Sequence, residues 1–387
     1  MRPSFELRSR ETYLDNAATT MVDPGVVEAM MSYLEERFGN PETSYHLGVE
    51  AMRAVDESRE KVMGLLGDPP GEVCFTSGGT ESNNWALKGF RASEGARIAV
   101  SAVEHGSVLD PARWLAATRG VELVELPVDQ DGVVSLDALD EELERGLVLV
   151  SVQHANNETG VLQPVAEIGE RLRDRLCFLH VDASQTFGKM EFDPREMGVD
   201  LMTLSAHKMH GPMGVGALYV GPEVGIDPLL HGGGQQGGMR AGTIPVQQVV
   251  GFGVACDMAW SSLRASRAKW EGMRREVEGL AALGGVTVNG GGAERLPNIV
   301  SLTFDGAEAA LVAAILDDRY GICVGTGAAC SRGASSHVLE AMGRTRAQRA
   351  STIRVSFGRH NDADDAGVFS AAAQAAVEEA RRRDLMT

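Results

Sequence analysis

Between residues 70 and 220, short apolar runs alternate with segments whose apolar positions recur every three or four residues. The runs at 73–76, 97–101, 121–127, 147–153, 176–182, 201–205 and 215–220 predict strands, and the stretches at 81–90, 108–118, 136–144 and 165–173 predict helices between them. Strands apolar on both faces need cover on both faces. The alternation therefore predicts an α/β domain with a mostly parallel, seven-stranded sheet flanked by helices.

The pattern changes after the Gly-rich stretch 231–242. Residues 246–283 are free of proline and compatible with one long helix leading out of the sheet. Beyond it, strands are predicted at 299–304, 322–324 and 353–357 and helices at 307–319, 336–342 and 362–383, which describes a smaller α+β domain. The expected division is a large domain over 15–255 and a small C-terminal domain over 256–387. The helices predicted at 25–37 and 47–66 are expected to pack partly on the small domain.

Composition narrows the function. The 387 residues carry 54 acidic and 36 basic side chains, a formal charge of −18, which repels a phosphate backbone and an anionic membrane surface. Neither nucleic acid nor membrane is expected as a partner. No apolar run approaches the roughly 18 residues of a membrane span, and the first residues have no apolar leader segment. The five cysteines are dispersed without a C-x-x-C pair, which fits a reducing compartment. A cytoplasmic protein is the expectation.

Five short motifs carry candidate chemistry. In Phe75-Thr76-Ser77-Gly78-Gly79-Thr80-Glu81 a predicted strand runs into glycines and opens a helix. Gly79 lets the backbone approach an anion, helix-start N–H groups favour phosphate, and Thr80 adds a hydroxyl, although ordinary strand–helix turns share this composition. In Leu179-His180-Val181-Asp182-Ala183-Ser184-Gln185 an apolar strand ends in a carboxylate where α/β sheets bind ligands. Asp182 can pair with a protonated ring nitrogen such as that of pyridoxal phosphate, cap a helix, or form half of a metal site with His180.

The third motif, Ser205-Ala206-His207-Lys208-Met209-His210-Gly211, places one of only five lysines directly after an apolar strand. A Schiff-base lysine needs such a partly desolvated setting; the competing reading takes His207 and His210 as a zinc pair, but the spacing lacks a third ligand. No metal is expected. Cys330 lies in the Gly/Ala/Ser segment 325–336 beside Arg332, a setting that favours an accessible thiolate, whereas the other four cysteines sit in apolar patterns. Finally, Arg354 is the lone cation of the alternating strand 351–357 and can clamp a carboxylate or simply face solvent.

Together with Tyr13-Leu14-Asp15-Asn16-Ala17-Ala18-Thr19-Thr20, Glu104-His105, Asn156-Asn157-Glu158-Thr159-Gly160, Arg240-Ala241-Gly242-Thr243 and Ala329-Cys330-Ser331, these motifs resemble the cysteine desulfurases of the class V aminotransferase superfamily, over nearly the whole chain. The resemblance implies a fold-type I enzyme whose large domain binds pyridoxal 5'-phosphate and whose small domain carries the catalytic cysteine. It implies conversion of L-cysteine to L-alanine, with the sulfur held on Cys330 as a persulfide and passed to an acceptor or iron–sulfur scaffold protein. Lys208 would be the Schiff-base lysine, His105 would stack on the cofactor ring, and Asp182 would hold its ring nitrogen. Gln185 and Asn157 would contact the ring oxygen and the substrate side. Gly79, Thr80, Ser205 and His207 would hold the phosphate, joined by Thr243 from the other subunit of a homodimer. Arg354, with Asn157, would clamp the substrate carboxylate. Selenocysteine lyase, cysteine sulfinate desulfinase or another activity of the superfamily are the enzymatic alternatives, and a catalytically idle docking module is the alternative outside enzymes.

Overall fold

Two β-sheets organise the chain. The computed structural model describes residues 11–191, 193–326 and 335–384. First come β1 (Thr12–Leu14), α1 (Pro24–Glu35) and α2 (His46–Leu65). The α/β run is β2 (Glu72–Thr76), α3 (Gly79–Lys88), β3 (Arg97–Ser101), α4 (Gly106–Arg119), β4 (Glu122–Leu126), α5 (Leu136–Leu143), β5 (Leu147–Gln153), α6 (Val165–Leu172), β6 (Phe178–Asp182), β7 (Leu201–Ser205) and β8 (Gly216–Val220). Then α7 (Val246–Glu278) leads to β9 (Val286–Val288), β10 (Ile299–Phe304), α8 (Ala309–Tyr320), β11 (Ile322–Thr326), α9 (His337–Ala341), α10 (Arg346–Ala350), β12 (Thr352–Ser356) and α11 (Ala363–Asp384).

The large sheet has seven strands in the order β2-β8-β7-β6-β5-β3-β4. Its pairs from β7 through β4 are parallel, and β8 alone runs antiparallel to both neighbours. The mostly parallel sheet expected from the alternation is what the chain forms. Its central strands are largely apolar because both faces are covered, β7 and β8 being buried at every position, whereas the edge strand β4 keeps Glu122 and Glu125 exposed. At the edge strand β2, the Gln236 amide accepts from Phe75 N at 2.7 Å and donates to Phe75 O at 2.9 Å. A side chain thus occupies main-chain groups that an exposed edge would otherwise present to another strand.

The small sheet is mixed and five-stranded, in the order β1-β11-β12-β10-β9. Its core gathers Leu14, Trp270, Val300, Leu302, Phe304, Phe357 and Phe369, while the large core closes around Phe75, Phe187 and Phe252, packed edge to face. Each such fully buried side chain contributes roughly 1.5–3 kcal/mol relative to exposure. Helix α7 belongs to both: its residues up to Ala259 join the large core, and Trp270, Met273 and Val277 join the small one. The expected boundary at 255/256 thus falls inside a continuous helix. Val26, Ala51, Ala54, Val55 and Val62 of α1 and α2 join the large core beside α7, while Asp23 at the start of α1 pairs with Arg359 of the C-terminal part at 3.3 Å.

Candidate active site

The C-terminal ends of β5, β6 and β7 open into one cleft of about 260 Å³. Gly79, Thr80, His105, Asn157, Asp182, Gln185, Ser205, His207, Lys208 and Arg354 all line it. Thr243 is exposed and stands apart from this cleft, and Cys330 lies outside the described residues.

Each wall follows from local sequence. After β2 the chain turns at Gly78, whose φ of 147° favours glycine, and α3 begins at once. The first N–H groups of such a helix have no intrahelical partners. Facing them, Ser205 ends β7 with its hydroxyl buried and without a hydrogen-bond partner. Buried hydroxyls are seldom left so, and an orphaned donor opposite a helix N-terminus suits an anion.

Asp182 ends β6. Its Oδ2 accepts from Asn83 Nδ2 at 2.8 Å and its Oδ1 accepts from Ser184 N at 2.9 Å. Among the described residues no helix stands between β6 and β7, so Asp182 does not cap one; its Oδ1 instead closes a turn onto Ser184 N while the carboxylate lines the cleft. Asn83 also donates to Ser107 Oγ at 2.8 Å, linking Asp182 to the start of α4. His105 caps that helix, with Nδ1 accepting from Ser107 N at 3.1 Å. Burial pushes the His105 imidazole below its usual range, against the pull of Asp182, so it is a neutral aromatic ring at neutral pH.

Lys208 follows β7 in a short 3₁₀ turn and donates to Ala17 O at 2.5 Å and Ala18 O at 2.7 Å. His207 bonds Thr19 through Nδ1 at 3.0 Å and is pushed down to about 4 by burial first, then by Lys208 and Lys189. His210 instead bonds Met21 O and accepts from Arg359 N, so the two histidines of the third motif diverge. His180 lies between Ser151 and Thr203, away from any ligand role. Among the described residues no group of three or more His, Cys, Asp or Glu side chains could hold a metal ion.

Arg354 reaches the cleft from β12 in the small sheet. Its Nη1 donates to Asn157 O and its Nη2 to Asp15 Oδ1, each at 2.7 Å, and its buried Nε has no partner. Asp15 therefore balances the guanidinium charge inside the protein. Asn83, Ser107, Gln153, Ser184 and the Ala17 and Ala18 carbonyls complete the lining. The motifs signalled none of the first four as cleft residues: Asn83 and Ser107 face inward from helices, and their role shows only once Asp182 is placed between them.

This donor set fits pyridoxal 5'-phosphate. A helix start and an orphaned hydroxyl match the phosphate, a carboxylate matches the protonated ring nitrogen, and a lysine amine stands beside them. Among the cysteines, Cys74, Cys177 and Cys256 are buried and burial raises all three thiols, to about 11 for Cys74 and about 12 for Cys177, so none is a nucleophile near neutrality.

Comparison with known proteins agrees with the geometry. The model of the class-V aminotransferase family matches residues 12–369. A cysteine desulfurase IscS of Methanosarcina thermophila is 40% identical over 363 residues, covering 92% of this chain and 89% of that one. A solved NifS-like protein superposes with a TM-score of 0.88 at 34% identity, covering 96% of this chain and all of the other (100%). A structure of SspA in complex with cysteine superposes with a TM-score of 0.78 at 32% identity, over 89% of this chain and 98% of the other. A cleft built to hold pyridoxal phosphate, within a match that spans both sheets, means that this chain belongs to the class-V aminotransferase family of pyridoxal phosphate enzymes.

Proposed function

We propose that the chain is a cysteine desulfurase, converting L-cysteine to L-alanine and retaining the sulfur on Cys330. The observation that carries this reading is the convergence of Lys208, Asp182 and Arg354 on one cleft from two different sheets. The 40% identity to desulfurases over most of the chain and the similarity to a protein solved with cysteine support the substrate class.

When bound, pyridoxal phosphate supplies an electron sink for the substrate's α-carbon. Asp182 would keep the ring nitrogen protonated, and His105 would offer it a neutral ring face. Gly79, Thr80, Ser205 and His207 hold the phosphate. Lys208 would hold the cofactor, and its amine, once released, would take up and return a proton at the substrate carbon. Arg354 and Asn157 receive the substrate carboxylate, and Gln185 donates to the ring oxygen.

The Cys330 thiolate then attacks the substrate sulfur. A sulfur–sulfur bond forms, the carbon–sulfur bond breaks, and its electron pair stays with the β-carbon, which takes a proton. Cysteine and a thiol thus become alanine and a persulfide without an external oxidant. A persulfide needs a thiol acceptor, so an acceptor or iron–sulfur scaffold protein follows in the sequence, in a reducing compartment such as the cytoplasm. Thr243 stands apart from its own cleft, which accords with a homodimer in which it serves the partner's phosphate.

The test is the visible absorbance of the purified, cofactor-loaded protein before and after L-cysteine, in the presence of a reducing thiol that releases the persulfide sulfur as sulfide, with alanine and sulfide quantified and Cys330→Ala run alongside. Both products should form in the parent, and the variant should keep its absorbance band but lose sulfide release. Full sulfide release by the variant would overturn the persulfide step. Turnover of selenocysteine or cysteine sulfinate alone would replace this reading with a related activity of the family.

A further inference from the structure

Lys189 is one of the few lysines of the chain and is 4% exposed. Its Nζ donates to Gln185 Oε1 at 3.3 Å. The charges acting on it are those of Lys208 and Arg354, both positive, and among the described residues no carboxylate pairs with it. Burial, reinforced by those two cations, lowers it to about 7. A buried ammonium without a countercharge opposes folding, and an apolar side chain of similar volume would serve the core better. Its value must lie in what it holds.

What it holds is an amide. Gln185 lines the cleft, and its Nε2 donates to Ala17 O at 3.0 Å, the same carbonyl that accepts from Lys208 at 2.5 Å. A charged lysine head only donates and so favours Oε1 facing it, while the Ala17 carbonyl only accepts and favours the N–H₂ end on the other side. With Oε1 committed to Lys189, the N–H₂ end is the one turned toward Ala17 and Lys208. A flipped amide would set Oε1 against the Ala17 oxygen, acceptor against acceptor, and leave Lys189 unsatisfied.

We propose that Lys189 is a positioning residue: it locks the Gln185 amide so that the cleft is offered donors, suited to an anionic ring oxygen, and never the amide carbonyl. The inference rests on the cofactor-binding reading of this cleft but not on cysteine as the substrate.

A double-mutant cycle on the apo protein tests it, with pyridoxal phosphate as the probe and binding followed by absorbance and fluorescence. Lys189→Met should leave the apo Tm equal to or above the parent's, because it removes a buried unpaired charge. The same variant should weaken pyridoxal phosphate binding by about five-fold, the worth of one hydrogen bond, and shift the pH at which the bound cofactor's visible band changes. Lys189→Arg, which keeps a donor-only head, should restore both. Gln185→Ala should weaken binding too, and the double variant should be no weaker than Gln185→Ala alone. Additive losses would mean that Lys189 does not act through Gln185. A lowered apo Tm, or loss of the fold in Lys189→Met, would mark a structural role and overturn the proposal. A protein that bound the cofactor but made no alanine would overturn the desulfurase reading and leave this cycle readable, so the two failures are distinguishable.

Discussion

Arg354 shows how a single side chain serves two sheets. Its guanidinium is held by Asp15, at the end of β1, and by the Asn157 carbonyl, so its plane is set before any substrate arrives. A side chain fixed in this way loses little freedom on binding, and the guanidinium N–H groups not taken by Asp15 and Asn157 can donate to a second carboxylate. Arg354→Lys keeps the charge and loses the fork. It should raise the KM for cysteine by about ten-fold or more, since hydrogen bonds to charged groups contribute about 1.5–3 kcal/mol, while pyridoxal phosphate uptake stays at the parent's level. Steady-state kinetics beside a cofactor titration checks this, and an unchanged KM would remove Arg354 from the carboxylate site. At this scale the sequence was partly legible. Asp182, Lys208 and Arg354 each follow or occupy an apolar strand, where a charge stands out. Asn83 and Lys189 did not stand out, because the meaning of a buried amide or amine depends on partners distant in sequence.

Among the elements, α7 carries the most structural consequence, since it joins both cores and packs along α1 and α2. Two of its glycines make opposite predictions. A Cβ at Gly253 would lie 2.9 Å from Ser58 Cβ and 3.0 Å from Ser58 Cα on α2, so Gly253→Ala should push the helices apart and destabilise by about 1–3 kcal/mol. At Gly272 a Cβ would meet nothing within 4 Å, so Gly272→Ala should stabilise by about 0.5–1 kcal/mol through helix propensity alone. Denaturant midpoints of the two variants should move in opposite directions; a Gly253→Ala midpoint at or above the parent's would refute the close α2–α7 contact, and a lowered Gly272→Ala midpoint would refute the open space at that position. The elements themselves were largely visible as apolar runs and helical periodicity. What escaped was β1 and β9, three-residue strands, and the five-residue α10, each too short to carry a pattern of its own. Strand β1 exists only because β11 lies beside it, Thr12 pairing with Ile322 from the far end of the chain. An apolar helix face likewise does not say which core it joins, and only the structure shows the buried side chains of α1 and α2 in the large one.

Over the whole molecule, the burial of ionisable groups gives the fold a pH dependence. His180 is fully buried between Ser151 on β5 and Thr203 on β7, so it ties three strands of the large sheet, and burial pushes it down to about 4. Below the ordinary histidine range near 6.5, the unfolded chain takes up a proton that the folded chain refuses. The stability contributed by neutral His180 is therefore complete above about 6.5 and is lost progressively as the pH falls toward 4. Glu104 and Glu158 act in the opposite sense, because burial raises both carboxyls above their usual range. Folded, they keep protons that the unfolded chain releases above about 4.5, so their contribution shrinks as the pH rises. The raw stability profile is the balance of these opposing groups, and only a difference between two proteins isolates one of them. His180→Gln retains a polar side chain between the two hydroxyls but has nothing to titrate. Whatever its stability at pH 7, the variant should lose about 2 kcal/mol less than the parent between pH 7 and pH 5, which is the linkage expected for a group moved from about 6.5 to about 4. Urea unfolding of both proteins at the two pH values measures that difference. Equal losses would mean that His180 takes up its proton in the folded sheet as readily as in the unfolded chain, so that the Ser151–His180–Thr203 tie accepts an imidazolium at no cost.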